Sequence, residues 1–217
     1  MYDWNFGRLV AFKYAFVQGV ETTLLLTAII IVFGTILGCI IGFALQKRWI
    51  YILLYPVIDL LRSLPPLVLL LFFYYLLTQQ VVGFTLPSYW VTVLALTLNL
   101  AAFTSDLVRA AYQNVPQSSI DAGRALAFPR KQLFLRIVLP HVVREVTPGM
   151  AALCIGVLKL TSLASVINVR ETTFVAQTVI ASVSRSLEAW TIVGIIYAVL
   201  VIPASYGIRK LERVLWS

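Results

Sequence analysis

The chain alternates between long apolar runs and short charged breaks, and the lengths of those runs predict its elements. A bilayer crossing needs about 20 apolar residues in a helix. Residues 23–45 form an uncharged run closed by Lys47 and Arg48, which predicts a first span. Within it Gly34, Gly38 and Gly42 recur every fourth position, placing three glycines on one helix face where another backbone can approach closely. Residues 64–105 carry no charge, too long for one helix and long enough for two, and the glycine and proline at 83–87 mark the break. The second span is then 50–77, bent at Pro65 and Pro66, and the third is 88–108. Residues 146–169 and 189–208 give a fourth and a fifth. The only long polar stretch is 109–145.

Composition sharpens this picture. Of 217 residues, 60% are hydrophobic and 12% charged, about half the usual charged share. A small soluble domain cannot cover its surface with so few charges, which excludes a soluble enzyme and a disordered chain. Residues 1–19 carry Asp3, Arg8 and Lys13 and lack an apolar core followed by a small-residue cleavage site, so they do not read as a cleaved signal. No repeat or linker divides the sequence, and a single all-α integral membrane domain over 1–217 is expected.

The net charge is +8, and its placement sets an orientation. One side of a five-span bundle would hold Lys47, Arg48, Arg109, Arg124, Arg130, Lys131, Arg136, Arg144, Arg209, Lys210 and Arg213. The other would hold Arg8, Lys13, Arg170 and Arg185. Basic residues favour the cytoplasmic side, so the N-terminus is expected outside and the C-terminus in the cytoplasm.

The loop between the third and fourth spans is the most informative segment. Ser118 followed three residues later by Asp121 is a weak capping box, predicting a short helix over 119–127 that Pro129 stops. A second helix is expected from Pro129, as first helical residue, to 138. Ala122, Ala125 and Leu126 form an apolar stripe on the short helix. By pattern alone the segment is either an amphipathic stretch on the bilayer surface or a docking element.

Little in the chain supports catalysis. There is no G-x-x-x-x-G-K-[ST] loop to hold ATP phosphates, and His141 is the only histidine. Cys39 and Cys154 fall inside apolar runs, and no cluster has metal-ligand spacing. The polar residues inside spans are better candidates, because a cation there costs about 2.5–3.5 kcal/mol unless it faces a cavity or a partner. Arg62 either pairs with Asp59 near the surface or faces a site. Lys159 stands about 20 Å along a helix axis beyond Glu145, too deep for easy snorkelling, with Thr161 and Ser162 able to donate into the same region. Asn99 and Thr104 either bond across helices or line a path. Glu171, just outside the fourth span, is a further candidate for meeting a substrate or an external partner.

Five segments resemble, in order, the permease subunits of amino-acid ABC importers of the histidine/glutamine type. They are GVETTLLLT (19–27), LLRSLPPLVLLLFFYY (60–75), SDLVRAAYQNVP (105–116), the loop Asp121-Ala122-Gly123 followed by Arg136-Ile137-Val138-Leu139-Pro140, and KLTSLASVI (159–167). The resemblance implies a type I importer permease fold of five transmembrane helices in a bacterial inner membrane. It makes the 113–140 segment an EAA coupling loop, with Ser119, Asp121, Ala122, Gly123, Ala125, Leu126 and Ala127 docking on a separate ATPase subunit. It also implies a second permease, identical or paralogous, an external solute-binding protein, and a polar amino acid as substrate. ATP and magnesium belong to the partner ATPase, and the chain itself carries no cofactor. Arg62 or Lys159 would receive the substrate carboxylate, with Asn99, Thr104, Thr161, Ser162 and Glu171 as further candidates. Two positions depart from the family loop: Asp121 stands for a Glu, and Ala127 for the Gly that usually ends the helix. An ion-coupled secondary transporter and a non-transporting assembly subunit are the alternatives, and the loop argues against both.

Overall fold

The computed structural model describes residues 4–77, 83 and 85–216, with side chains as far as 207. Asp3 and position 84 of the expected 83–87 break lie outside the described residues. Every regular element among the described residues is helical. Four helices are long and apolar enough to cross a membrane, or five with one sharply bent pair taken as a single span.

Helix α1 (Lys13–Ala44) continues a 3-10 segment, Phe6–Phe12, into one apolar rod, which starts well before the expected 23. The extension holds because Leu9 and Phe16 are buried against Val175, Ala176 and Val179 of a later helix. Further along, the glycine face meets helix α4 (Ser88–Gln113). A Cβ on Gly34 would stand 2.7 Å from Leu100 Cδ2, and one on Gly42 would stand 2.6 Å from Val108 Cβ, while Gly38 abuts Thr104. Each four-residue step along α1 meets a four-residue step in the same direction along α4, so the two helices run parallel.

Parallel neighbours require the intervening chain to return along the bundle. Helices α2 (Arg48–Ser63) and α3 (Pro66–Leu76) make that return, inclined 110° to each other. The break is local chemistry: Leu64 and Pro65 each precede a proline and are held extended, with ψ of 133° and 135°.

Beyond α4, helix α5 (Gln117–Ala125) leads to a continuous rod, Arg130–Ile167. A separate helix over 129–138 does not form. Pro129 is the N-cap, α6 (Arg130–Leu133) passes into a π turn at Phe134–Val138, and α7 (Leu139–Leu160) follows and tightens into a 3-10 segment, Thr161–Ile167. Pro140 has no N–H to complete an α-helical bond. The wider turn, with Leu139 N–H donating to Phe134 O, carries the helix past it. Helix α8 (Thr172–Val183) is an element the sequence pattern did not suggest, set between left-handed residues Asn168 (φ 63°) and Ser184 (φ 54°). Helix α9 (Ser186–Trp216) closes the chain and exceeds the expected 189–208 at both ends.

Candidate functional site

The loop helix α5 has two faces. Ser119, Asp121, Ala122, Ala125 and Leu126 are exposed, Leu126 by 69%. Gly123 is instead buried against the chain's own next helix, where a Cβ would stand 2.6 Å from Ile137 Cδ1. The expected Ser118–Asp121 cap does not form. Pro116 takes the N-cap position, which places Ser118 inside the first turn, and Asp121 Oδ1 accepts from Gln117 Nε2 at 3.2 Å and Arg124 Nη1 at 3.1 Å. The C-terminus is a full Schellman closure. Phe128 N–H donates to Gly123 O at 3.0 Å and Ala127 N–H to Arg124 O at 2.9 Å. Ala127 adopts the left-handed conformation, φ 54°, that the glycine of related loops would supply without a Cβ.

A second candidate region lies where α7 tightens. Lys159 is exposed and, with Ser162 and Tyr197, lines an open groove of about 340 Å³ whose remaining wall is aliphatic. Thr161 and Ser162 do not donate into it: their hydroxyls bond to Leu158 O and Lys159 O of their own helix, both at 2.7 Å. Behind the groove, Tyr197 OH donates to Glu171 Oε2 at 3.3 Å. Glu171 is fully buried and caps α8, accepting from Phe174 N–H at 2.8 Å and Thr173 N–H at 2.9 Å. Burial pushes its carboxyl above the ordinary carboxylate range, and those N–H donors oppose the shift. Tyr197 is a site residue that sequence reasoning missed. Its one signal was a phenol in the middle of the apolar fifth run, where the other aromatic residues, Trp190 and Tyr206, stand near the two ends.

Arg62, Asn99 and Thr104 lie elsewhere. Asn99 Nδ2 donates across helices to Leu61 O at 3.2 Å, and Thr104, whose carbons abut Gly38 of α1, turns its Oγ1 to Met150 Sδ of α7 at 3.4 Å. Arg62 does not pair with Asp59, which is exposed on α2. It turns to α4 and meets Asp106, Nη1 to Oδ2 2.9 Å, and Asp106 also receives Arg109 Nη2 at 3.3 Å. The seven candidate residues therefore do not converge on one point. Lys159 and Ser162 share the groove with Tyr197, with Glu171 behind it, and Arg62 and Asn99 fasten the end of α2.

An all-helical bundle of apolar spans among the described residues, carrying an exposed loop helix, is the architecture of an integral membrane protein. Residues 30–216 match the model of the binding-protein-dependent transport system inner membrane components, and the chain belongs to that family. It is 36% identical over 133 residues to the octopine transport system permease protein OccM of Rhizobium radiobacter, covering 61% of this chain and 54% of OccM. The chain thus matches about half the length of that relative. To the glutamine transport system permease protein GlnP of Escherichia coli K12 it is 28% identical over 200 residues, 91% of each. Among solved structures it resembles a chain of an amino acid ABC transporter with histidines, at TM-score 0.89 and 26% identity over 98% of this chain and 99% of that one.

Proposed function

We propose that the chain is the transmembrane permease subunit of an ATP-driven importer that moves a polar amino acid delivered by an external solute-binding protein. The observation that carries this reading is the two-faced helix α5. One face is buried on the chain itself through Gly123, and the other leaves Leu126 and two alanines uncovered. A helix of nine residues is marginal in water and an exposed apolar face asks for a partner surface. A groove on a separate ATPase subunit is that surface. The permeases for glutamine and octopine among the relatives support an amino-acid substrate.

In this reading there are five spans, α2 and α3 forming the second, in a bacterial inner membrane. The N-terminus is outside and the C-terminus cytoplasmic, which the basic asymmetry of the loops supports. Two permeases, identical or paralogous, enclose the path, and the open Lys159 groove is closed by the second. Lys159 places a positive charge in that groove, and Ser162 and Tyr197 offer hydroxyl oxygens. ATP and magnesium are held by the ATPase. Its closure draws the two α5 helices together, and the continuous rod Arg130–Ile167, joined to α5 through Gly123 and Ile137, carries that motion into the membrane. The test is purification of the chain co-expressed with its ATPase and binding protein. An ATPase that co-purifies and is stimulated by amino acids supports the reading, and an ion-coupled carrier would purify without one.

A further inference from the structure

Asp106 is shared by two arginines, and the two are not equally held. Arg109 is anchored on several sides. Its guanidinium lies over the rings of Tyr51 and Tyr55, at 5.4 and 5.2 Å, and its Nη1 reaches Gln113 Oε1 at 3.4 Å. Arg62 has Asp106 and the face of Phe103, 5.4 Å away. It also sits at the end of α2, directly before the 110° break. The Nε atoms of both arginines are buried and donate to nothing among the described residues. Two guanidinium groups and one carboxylate give the cluster one net positive charge, and all three side chains are partly exposed.

A second carboxylate is the chemistry that completes such a cluster. Arginine takes carboxylates through two parallel N–H bonds, and Arg62 has an idle donor for that arrangement. Exchange of partners would leave no buried charge alone. If an incoming carboxylate takes Arg62, Asp106 keeps Arg109, so the severe cost of stranding one member of an ion pair does not arise.

We propose that Arg62, Asp106 and Arg109 form a carboxylate-exchange site in which the α-carboxylate of a transported amino acid takes Arg62 from Asp106 while Arg109 retains it. The site rests on the amino-acid reading above and is separate from the Lys159 groove. Release of Arg62 also removes one polar tie between α4 and the end of α2, leaving that from Asn99 to Leu61 O, so occupancy and the hold on the broken helix are coupled. Asp106 is the competitor and Arg109 is the residue that makes its release affordable in charge. Removing one or the other has opposite effects on carboxylate binding.

The test is equilibrium binding of the twenty radiolabelled L-amino acids, and of the corresponding amino-acid amides, to the purified permease–ATPase complex without the binding protein. Asp106→Asn removes the competitor and should tighten binding of the acid roughly fivefold or more. Arg109→Gln leaves Asp106 dependent on Arg62 and should weaken it by a similar factor. Neither should move the affinity of the amide, whereas a purely structural role would move acid and amide together. An unchanged acid-to-amide ratio in both variants, or no binding by the wild-type complex, overturns the site. Where Asp106→Asn fails to assemble, Arg109→Gln alone decides, since its Arg62–Asp106 pair is intact. The amino-acid reading fails on a different result: no amino acid stimulates ATP hydrolysis by the complete system.

Discussion

Ile137 Cδ1 occupies the space over Gly123, 2.6 Å from where a Cβ on that glycine would be. The short helix α5 is therefore joined to the π turn of the membrane rod through this Gly123–Ile137 contact. The clashing atom is the end of a flexible side chain, so Gly123→Ala should assemble and couple nearly as the wild type does. Gly123→Trp cannot be absorbed in this way and should force α5 off the rod, by overpacking that costs on the order of 1–3 kcal/mol. Limited proteolysis of the 113–140 segment, which should become faster in Gly123→Trp alone, checks this.

Ala127 carries a Cβ in a left-handed conformation, φ 54°, which costs roughly 1–2 kcal/mol. Ala127→Gly should stabilise the loop by about 1 kcal/mol, net of the greater freedom of glycine in the unfolded chain. The expected result is a higher thermal midpoint for the purified complex, with α5 closed by the same two bonds. A lower midpoint would mean that the Schellman closure is not the stable form of the loop.

Much of this molecule was legible in the sequence. Run lengths located the apolar helices because each span must be apolar over most of its length, and the glycine repeat marked the face of α1 that another backbone approaches closely, while its partner, α4, came only from the structure. The loop helix was expected nearly where α5 lies. Its cap was misassigned because Ser118 and Asp121 fit a local pattern, yet Pro116 fixes the start two residues earlier. The separate helix at 129–138 was expected because Pro140 reads as a breaker, and a π turn carries the helix past it. Arg62 was assigned to Asp59 by sequence proximity. Its partner, Asp106, lies on another helix, and such pairing is set by how α2 packs on α4. The same limit hid Tyr197, whose neighbours Lys159 and Glu171 belong to distant segments.

The same substitution should have opposite signs at two glycines. Gly42→Ala places a Cβ 2.6 Å from Val108 Cβ and 2.7 Å from the backbone oxygen of Ser105, neither of which can easily retreat. Gly194 has no such neighbour within 4 Å. Thermal melting of the detergent-solubilised complex should show a loss of roughly 1–3 kcal/mol for Gly42→Ala. Gly194→Ala should instead gain about 0.5–1 kcal/mol, from helix propensity alone.

The proposed orientation puts the loop helix and the α8–α9 turn on opposite faces of the membrane. Single cysteines introduced at Ser118 and Ser186, with Cys39 and Cys154 replaced by alanine, should react with an impermeant maleimide from opposite sides. Ser186→Cys should label in intact cells and Ser118→Cys only in inverted vesicles. Reaction of both from the same side would remove the five-span arrangement.

The central claim is that the uncovered face of α5 transmits ATP hydrolysis to the membrane path. Amino-acid-stimulated hydrolysis by the complete transporter, compared between wild type and Leu126→Asp, tests it most directly. Leu126 is exposed and outside the bundle, so the variant should insert and fold as the wild type does. Burying an unpaired carboxylate at the ATPase surface should cost several kcal/mol. The account predicts that Leu126→Asp releases the ATPase on purification or loses most of the stimulation. Full ATPase retention together with full stimulation in Leu126→Asp would contradict it.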